Sequence, residues 1–290
     1  MNICWIGTGV MGEPMLGHLM DAGHKCRVYT RTKSKAEGLL ARGAIWANSP
    51  AEAAEGADFA GMIVGMPEDV EQVVLGKNGL LEGLKPGTML VDFTTSSPDL
   101  AVRMEAQARN RGVRMLDAPV SGGDVGARNA TLSIMVGGNR RDFQEALPIL
   151  RSLGKTVEYQ GEAGAGQHTK MVNQILISGT MIGMCEALLY ARKSGLDAEQ
   201  VLKSVGGGAA ASWSLANLAP RIIRNDFEPG FFVEHFVKDM RIALEEAERM
   251  RLDLPGLKLV YSLYEQLQNE LDMGKSGTQA LIKVLESINE

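Results

Sequence analysis

The chain opens Asn2-Ile3-Cys4-Trp5-Ile6-Gly7-Thr8-Gly9-Val10-Met11-Gly12-Glu13-Pro14-Met15. Ile3–Ile6 has the short apolar run of a buried strand, and Met11–Ala22 has the pattern of a helix. Three glycines stand between and at the junction, at positions 7, 9 and 12. In this spacing the first allows a tight turn, the second lets backbone approach a pyrophosphate, and the third lets helix and strand pack closely. The helix start adds unpaired N–H groups for phosphate. Glycines also mark ordinary turns, so the context carries the weight: a strand before, a helix after, and a second strand at Lys25–Thr30. Gly7, Thr8, Gly9, Val10, Met11 and Gly12 are therefore the expected dinucleotide cradle.

The second strand ends at Tyr29-Thr30-Arg31-Thr32. A carboxylate here would accept from the ribose 2′-hydroxyl of NAD, whereas an arginine suits the 2′-phosphate of NADP. Arg31 offers a planar, permanently charged fork, Thr32 adds a hydroxyl, and Lys33 and Lys35 lie close by. These residues predict NADP over NAD. Arginine also stacks on adenine in NAD enzymes, which keeps NAD open.

Further strands are expected at Phe59–Val64, Met89–Phe93, Arg114–Asp117, Leu132–Val136 and Thr156–Tyr159. Helices are expected at Lys33–Arg42, Pro50–Ala54, Val70–Val74, Asp99–Arg111 and Arg141–Leu150. This alternation predicts βαβ units and a mostly parallel, doubly wound sheet. Past residue 163 the strand signal ends. Gly164-Ala165-Gly166 introduces a long helix to about Ser194, with more helices at Ala198–Val205, Ser212–Leu218, Val237–Met250, Pro255–Glu270 and Gly277–Ile288. On the Val237 helix, Met240, Ala243, Leu244, Ala247 and Met250 form one apolar face. The expected division is an α/β cofactor domain over 1–163 and an all-helical domain over 164–290.

With 290 residues, 45% of them hydrophobic, the chain can fill two ordinary domains. Its net charge of −5, without a basic run, argues against a nucleic-acid surface. A small anionic substrate needs only a few local cations. Cys4, Cys26 and Cys185 are odd in number and lack C-x-x-C spacing, so buried free thiols and a reducing, cytoplasmic setting are expected. No basic leader precedes the first glycines. The uncharged run Met171–Cys185 contains Asn173 and Gln174 and is short for a bilayer, so a buried helix is expected rather than a membrane span. His18, His24, His168 and His235 show no metal-ligand spacing, and no metal is expected.

Four blocks resemble the β-hydroxyacid dehydrogenase family. They are the glycine turn through Met15, Asp117-Ala118-Pro119-Val120-Ser121-Gly122-Gly123, Gly164-Ala165-Gly166-Gln167-His168-Thr169-Lys170-Met171-Val172-Asn173-Gln174, and Phe236-Val237-Lys238-Asp239. They span nearly the whole chain in the family's order. The resemblance implies a Rossmann-type domain followed by a helical one, with the active site between them. It implies NAD(P)-linked interconversion of a short 3-hydroxy (or 4-hydroxy) acid and its semialdehyde, and a homodimer or homotetramer.

By the same resemblance, Lys170 is the general acid that protonates the carbonyl oxygen and, in reverse, assists hydroxyl deprotonation. Its position in an apolar helix beside Met171, Val172 and Ile175 predicts partial desolvation, which favours the neutral amine. Asn173 and Gln174, at i+3 and i+4, would fix the substrate oxygen or orient Lys170. Family members commonly carry two asparagines here, and this chain has Asn-Gln. Ser121, Gly122 and Gly123 would hold a substrate carboxylate through a hydroxyl and exposed backbone N–H groups. Lys238 matches a residue near nicotinamide and substrate, with Asp239 to orient it. Thr95 matches a position near the nicotinamide ribose, and Met66-Pro67 would line the cofactor. Trp213 and Phe231-Phe232 would close the pocket or pack the core. Imine reductases share a similar architecture but typically lack the lysine. A non-catalytic dinucleotide-binding sensor would show a degraded Lys, Asn or glycine loop, and none is seen.

Overall fold

Ile3 and Trp5 pack into one apolar cluster, and Cys4 and Ile6 into another. Strand β1 (Asn2–Ile6) is thus buried on both faces, as a central strand of a helix-covered sheet must be. The computed structural model describes residues 1–289. The chain divides into two compact units, Met1–Lys170 and a second beginning at Met171.

In the first unit, β1 is joined by β2 (Lys25–Tyr29), β3 (Ile45–Trp46), β4 (Phe59–Met62), β5 (Met89–Asp92), β6 (Arg114–Asp117), β7 (Val120–Ser121), β8 (Leu132–Gly138) and β9 (Gly154–Gly161). The sheet order is β3-β2-β1-β4-β5-β6-β8-β7, with β9 beside β8. From β3 to β6 every pair is parallel. β8 runs antiparallel to β6 and β7, and β9 pairs parallel to β8. The order turns back between β1 and β4, and ligands of such sheets bind outside the carboxyl ends of the strands at that switch point. The ends of β1, β2, β4, β5 and β6 therefore share one edge.

The helices of this unit are α1 (Gly12–Asp21), α2 (Glu37–Ala41), α3 (Pro50–Ala54), α4 (Pro67–Leu75), α5 (Leu80–Gly83), α6 (Pro98–Asn110), α7 (Gly123–Arg128) and α8 (Arg140–Arg151). α6 illustrates the local code: the Ser97 hydroxyl accepts from Leu100 N at 3.1 Å and Pro98 occupies the first turn. β3 and β7 have two residues each, too short for alternation to reveal them. Past Asp117, the end of the expected Arg114–Asp117 strand, the chain forms β7 and then enters α7.

The second unit contains most of α9 (Ala165–Lys193), then α10 (Ala198–Val205), α11 (Trp213–Asn217), α12 (Ala219–Ile223), α13 (Val233–Arg249), α14 (Pro255–Asn269) and α15 (Ile282–Ile288). Its core gathers Met181, Leu188, Phe236, Met240, Leu257, Val260 and Tyr264. On α13 the buried face runs through Val233, Phe236, Met240, Ala243 and Ala247, while Met250 lies past the helix end and is exposed.

α9 departs from expectation. It has 29 residues and is long and apolar enough to cross a membrane by length and composition, yet only 33% of its most apolar window is buried. The helix ends at Lys193, close to the expected Ser194; the uncharged run Met171–Cys185 is only part of it, because the charges at Lys170 and Glu186 interrupt the apolar run without ending the helix. Nor is it buried all round: Val172, Leu176, Gly179, Thr180, Gly183, Ala187 and Tyr190 lie exposed along one stripe. Val172 cannot therefore help desolvate Lys170; an i+2 residue faces away.

Candidate active site

The glycine turn has an open side and a closed side. Gly7 N donates to Tyr29 O at 2.9 Å, which ties the turn to the end of β2. Gly7 has φ +93°, and a Cβ there would lie 2.0 Å from Ile63 O. A Cβ on Gly12 would lie 2.1 Å from Gly7 O. At Gly9 a Cβ would meet nothing within 4 Å. The turn is thus closed against the protein at 7 and 12 and open at 9. Thr8 is buried, and its Oγ1 has no protein hydrogen-bond partner. Val10 is exposed and Met11 half-buried at the start of α1. An open backbone cradle with an orphan hydroxyl fits the phosphates of a dinucleotide.

Two loops flank this turn in the sheet order. Arg31 and Thr32 are exposed after β2, and Met66 and Pro67 are half-buried at the start of α4. One carboxylate joins the loops. Asp69 Oδ1 accepts from Arg31 Nη1 at 2.8 Å, and Asp69 Oδ2 accepts from Met66 N at 3.2 Å. Lys33 Nζ is turned aside, 5.3 Å from the centroid of the Trp46 ring.

Lys170 closes the first unit and is 6% exposed. Its Nζ donates to Val120 O at 2.8 Å, next to Ser121. Ser121 is half-buried; Gly122 and Gly123 follow at φ +131° and +61°, and a Cβ on Gly123 would meet only open space. The structure thus brings Lys170 to the Ser121–Gly123 turn.

A buried brace sets the start of α9. Asp117, at the end of β6, accepts from Gly164 N at 2.8 Å through Oδ1 and from Gln167 N at 2.9 Å through Oδ2. Gln167, fully buried, donates from Nε2 to Thr94 O at 2.8 Å and accepts from Ser96 N at 2.9 Å. The half-buried Thr95 lies between those two anchored residues. Ser96 Oγ is buried without a protein hydrogen-bond partner.

Burial pushes the Asp117 carboxyl up from its ordinary value of 3.8, against the opposing pull of the backbone N–H groups. A raised folded-state value contributes stability that is present below pH 3.8 and lost as pH rises through the folded value. Asp117→Asn keeps one acceptor where two are used and leaves an N–H facing an NH2. Urea denaturation should show a loss of about 1–3 kcal/mol, and the gap from wild type should narrow as pH rises above the ordinary carboxylate value. A variant as stable as wild type across that range would rule out the brace.

In the second unit a second polar chain is buried. Asn173 Nδ2 donates to Gln174 Oε1 at 2.7 Å, and Gln174 Nε2 donates to Asp239 Oδ2 at 2.6 Å. Lys238 Nζ lies 2.8 Å from Asp239 Oδ1, a buried ion pair. Gln174, Lys238 and Asp239 are all buried. The amide of Gln174 is thus engaged with the partner of Lys238. One turn before Lys238, His235 is held below its ordinary value by burial and then by the Lys238 ammonium, so it is neutral at pH 7. Phe231 stacks on His235 and packs against the core, whereas Trp213 is exposed.

Sequence reasoning gave no role to Gln167 or Asp69, and read Asp117 only as part of a motif. Gln167 lies inside the Gly164–Gln174 block, three residues before Lys170, and that position is the signal that could have drawn attention to it. The three cysteines are free and buried; burial pushes the Cys26 thiol up to about 11. Among the described residues no group of three or more His, Cys, Asp and Glu side chains is placed to hold a metal.

The sequence profile of the NAD-binding domain of 6-phosphogluconate dehydrogenase matches residues 2–161. That of the NAD-binding segment of NADP-dependent 3-hydroxyisobutyrate dehydrogenase matches residues 164–285. An uncharacterised oxidoreductase of Bacillus subtilis is 52% identical, with 98% of each chain covered. A probable 3-hydroxyisobutyrate dehydrogenase-like protein of Arabidopsis thaliana, described as mitochondrial, is 47% identical over 99% of this chain and 86% of its own. The structure of Mycobacterium tuberculosis 3-hydroxyisobutyrate dehydrogenase with L-serine superposes at a TM-score of 0.88, with 30% identity and 98% of each chain covered.

Proposed function

The chain belongs to the β-hydroxyacid dehydrogenase family of NAD(P)-dependent oxidoreductases, and on that premise we propose that it interconverts a short 3-hydroxy (or 4-hydroxy) carboxylic acid and its semialdehyde. One observation carries this reading: the buried Lys170 ammonium rests 2.8 Å from Val120 O, at the edge of the Ser121–Gly123 turn.

In this reading the Ser121 hydroxyl and the backbone N–H groups of Gly122 and Gly123 hold the carboxylate. Lys170 gives a proton from Nζ to the carbonyl oxygen and takes one back in the oxidative direction. The bound nicotinamide supplies or accepts the hydride. Thr95 is carried to the ribose side by its anchored neighbours Thr94 and Ser96, and Met66-Pro67 lines the cofactor. Lys238 holds substrate and nicotinamide in place, and Asn173, Gln174 and Asp239 fix its position. A relative named 3-hydroxyisobutyrate dehydrogenase, solved with L-serine, supports a ligand with a carboxylate and a β-hydroxyl. A panel of succinic, methylmalonic and tartronic semialdehydes with NADH or NADPH tests the proposal, with glyoxylate, the precursor of a 2-hydroxy acid, as the contrasting shorter aldehyde. Binding of cofactor without turnover of any would defeat it.

Arg31 and Thr32 support NADP as the preferred cofactor. The stripe Val172–Tyr190 on α9 supports self-association: small residues at 179, 183 and 187 permit close helix approach, and Leu176 and Tyr190 supply apolar area. A second copy covers that stripe in a homodimer or homotetramer. Light scattering that returned the mass of one chain would reject it. Buried, unpaired thiols support a cytoplasmic enzyme, which fractionation checks.

A further inference from the structure

Asp69 stands where the two cofactor-flanking loops meet, bonded to Arg31 on one side and to Met66 N on the other. We propose that Asp69 is a specificity-determining residue that competes with the 2′-phosphate of NADP for Arg31, and so moderates the preference for NADP over NAD. The proposal rests on the reading of Arg31 as the 2′-phosphate ligand.

The geometry divides the work of the carboxylate between its oxygens. Oδ2 accepts from Met66 N at 3.2 Å and holds the start of α4. Oδ1 takes the Arg31 guanidinium at 2.8 Å. The side chain of Asp69 is 23% exposed and that of Arg31 is 78% exposed. Arg31 is therefore the loose partner and Asp69 the anchored one. An exposed pair of this kind is weak, so the guanidinium is releasable. A 2′-phosphate arriving at Arg31 must share that fork with a carboxylate already on it, and two anions on one cation repel. The 2′-hydroxyl of NAD carries no such charge and meets no such conflict. The other cation of this loop with a defined contact, Lys33, lies over the Trp46 ring.

Asn is close to Asp in shape and keeps an oxygen to accept from Met66 N, so Asp69→Asn removes charge while sparing the helix start. Calorimetric titration with NADPH and with NADH, in the absence of substrate, reads the effect directly. Asp69→Asn should bind NADPH about fivefold more tightly, the scale of an exposed ion pair, and NADH within about twofold of wild type. In an Arg31→Ala background the same substitution should change NADPH affinity by less than about twofold, because the contested cation is gone. Equal weakening toward both cofactors would make Asp69 only the anchor of α4 and overturn the proposal. Selective weakening toward NADPH would make Asp69 an aligner of Arg31, which also overturns it. No selective change in Asp69→Asn, with Arg31→Ala weakening NADPH alone, would remove the competition and leave the Arg31 reading standing. If Arg31→Ala leaves NADPH affinity intact, the Arg31 reading falls and the proposal with it.

Discussion

Lys170→Ala should lower kcat by about two to four orders of magnitude, the usual contribution of a positioned acid–base group, while NADPH affinity stays within about twofold of wild type. The argument begins with burial. An ammonium that is 6% exposed and hydrogen-bonded to a backbone carbonyl is held in one place. That place is next to the Ser121–Gly123 turn, where the proposed carboxylate would sit. An alanine removes the proton donor and leaves Val120 O without that ammonium. Small primary amines added to the variant should restore part of the rate by entering the vacated space. Lys170→Arg should not recover it, because a guanidinium gives up its proton too reluctantly at neutral pH. Stopped-flow single turnovers separate the chemical step from product release. Near-wild-type turnover in Lys170→Ala would remove the proposed mechanism, while membership of the family would stand.

The second large effect contrasts two glycines two residues apart. Gly7→Ala should destabilise the protein by at least about 3 kcal/mol, from a left-handed backbone that alanine resists together with a severe steric clash. The clash is with backbone: the added Cβ meets Ile63 O at 2.0 Å, and Ile63 N is itself bonded to Ile6 O. Gly9→Ala should leave the melting temperature unchanged, since its Cβ meets nothing within 4 Å. Its NAD(P)H affinity should nevertheless fall about tenfold or more, because that open space is what lets backbone approach the pyrophosphate. Calorimetry for stability and titration for affinity settle both. If Gly9→Ala bound cofactor as wild type does, the open side of the turn would not be the cradle.

The features readable from sequence were those with a local period. The glycine spacing at 7, 9 and 12 sits between a strand and a helix, and both are there. Lys170 stood out as a charge in an apolar helix, and it is buried. Features made by distant pairs were not readable. Asp117 meets Gln167 across 50 residues, Gln174 meets Asp239 across 65, and Arg31 meets Asp69 across 38. Polar contacts of that kind have no periodicity, so nothing in the local pattern announces them. α9 shows a related limit. Its apolar composition was plain, but whether an apolar face is covered depends on what folds against it, and one stripe remains exposed.

Trp5 stacks on Phe93 at 5.7 Å between ring centroids, and its indole Nε1 donates to Gly7 O at 2.9 Å. The first residue of the glycine turn is thus hydrogen-bonded to a fully buried tryptophan. Indole emission overlaps the near-ultraviolet absorption of a reduced nicotinamide, so energy passes from one to the other when they are close. A reduced nicotinamide bound near this turn would quench the Trp5 emission, and a variant retaining Trp5 but with Trp46 and Trp213 replaced by phenylalanine would isolate that signal.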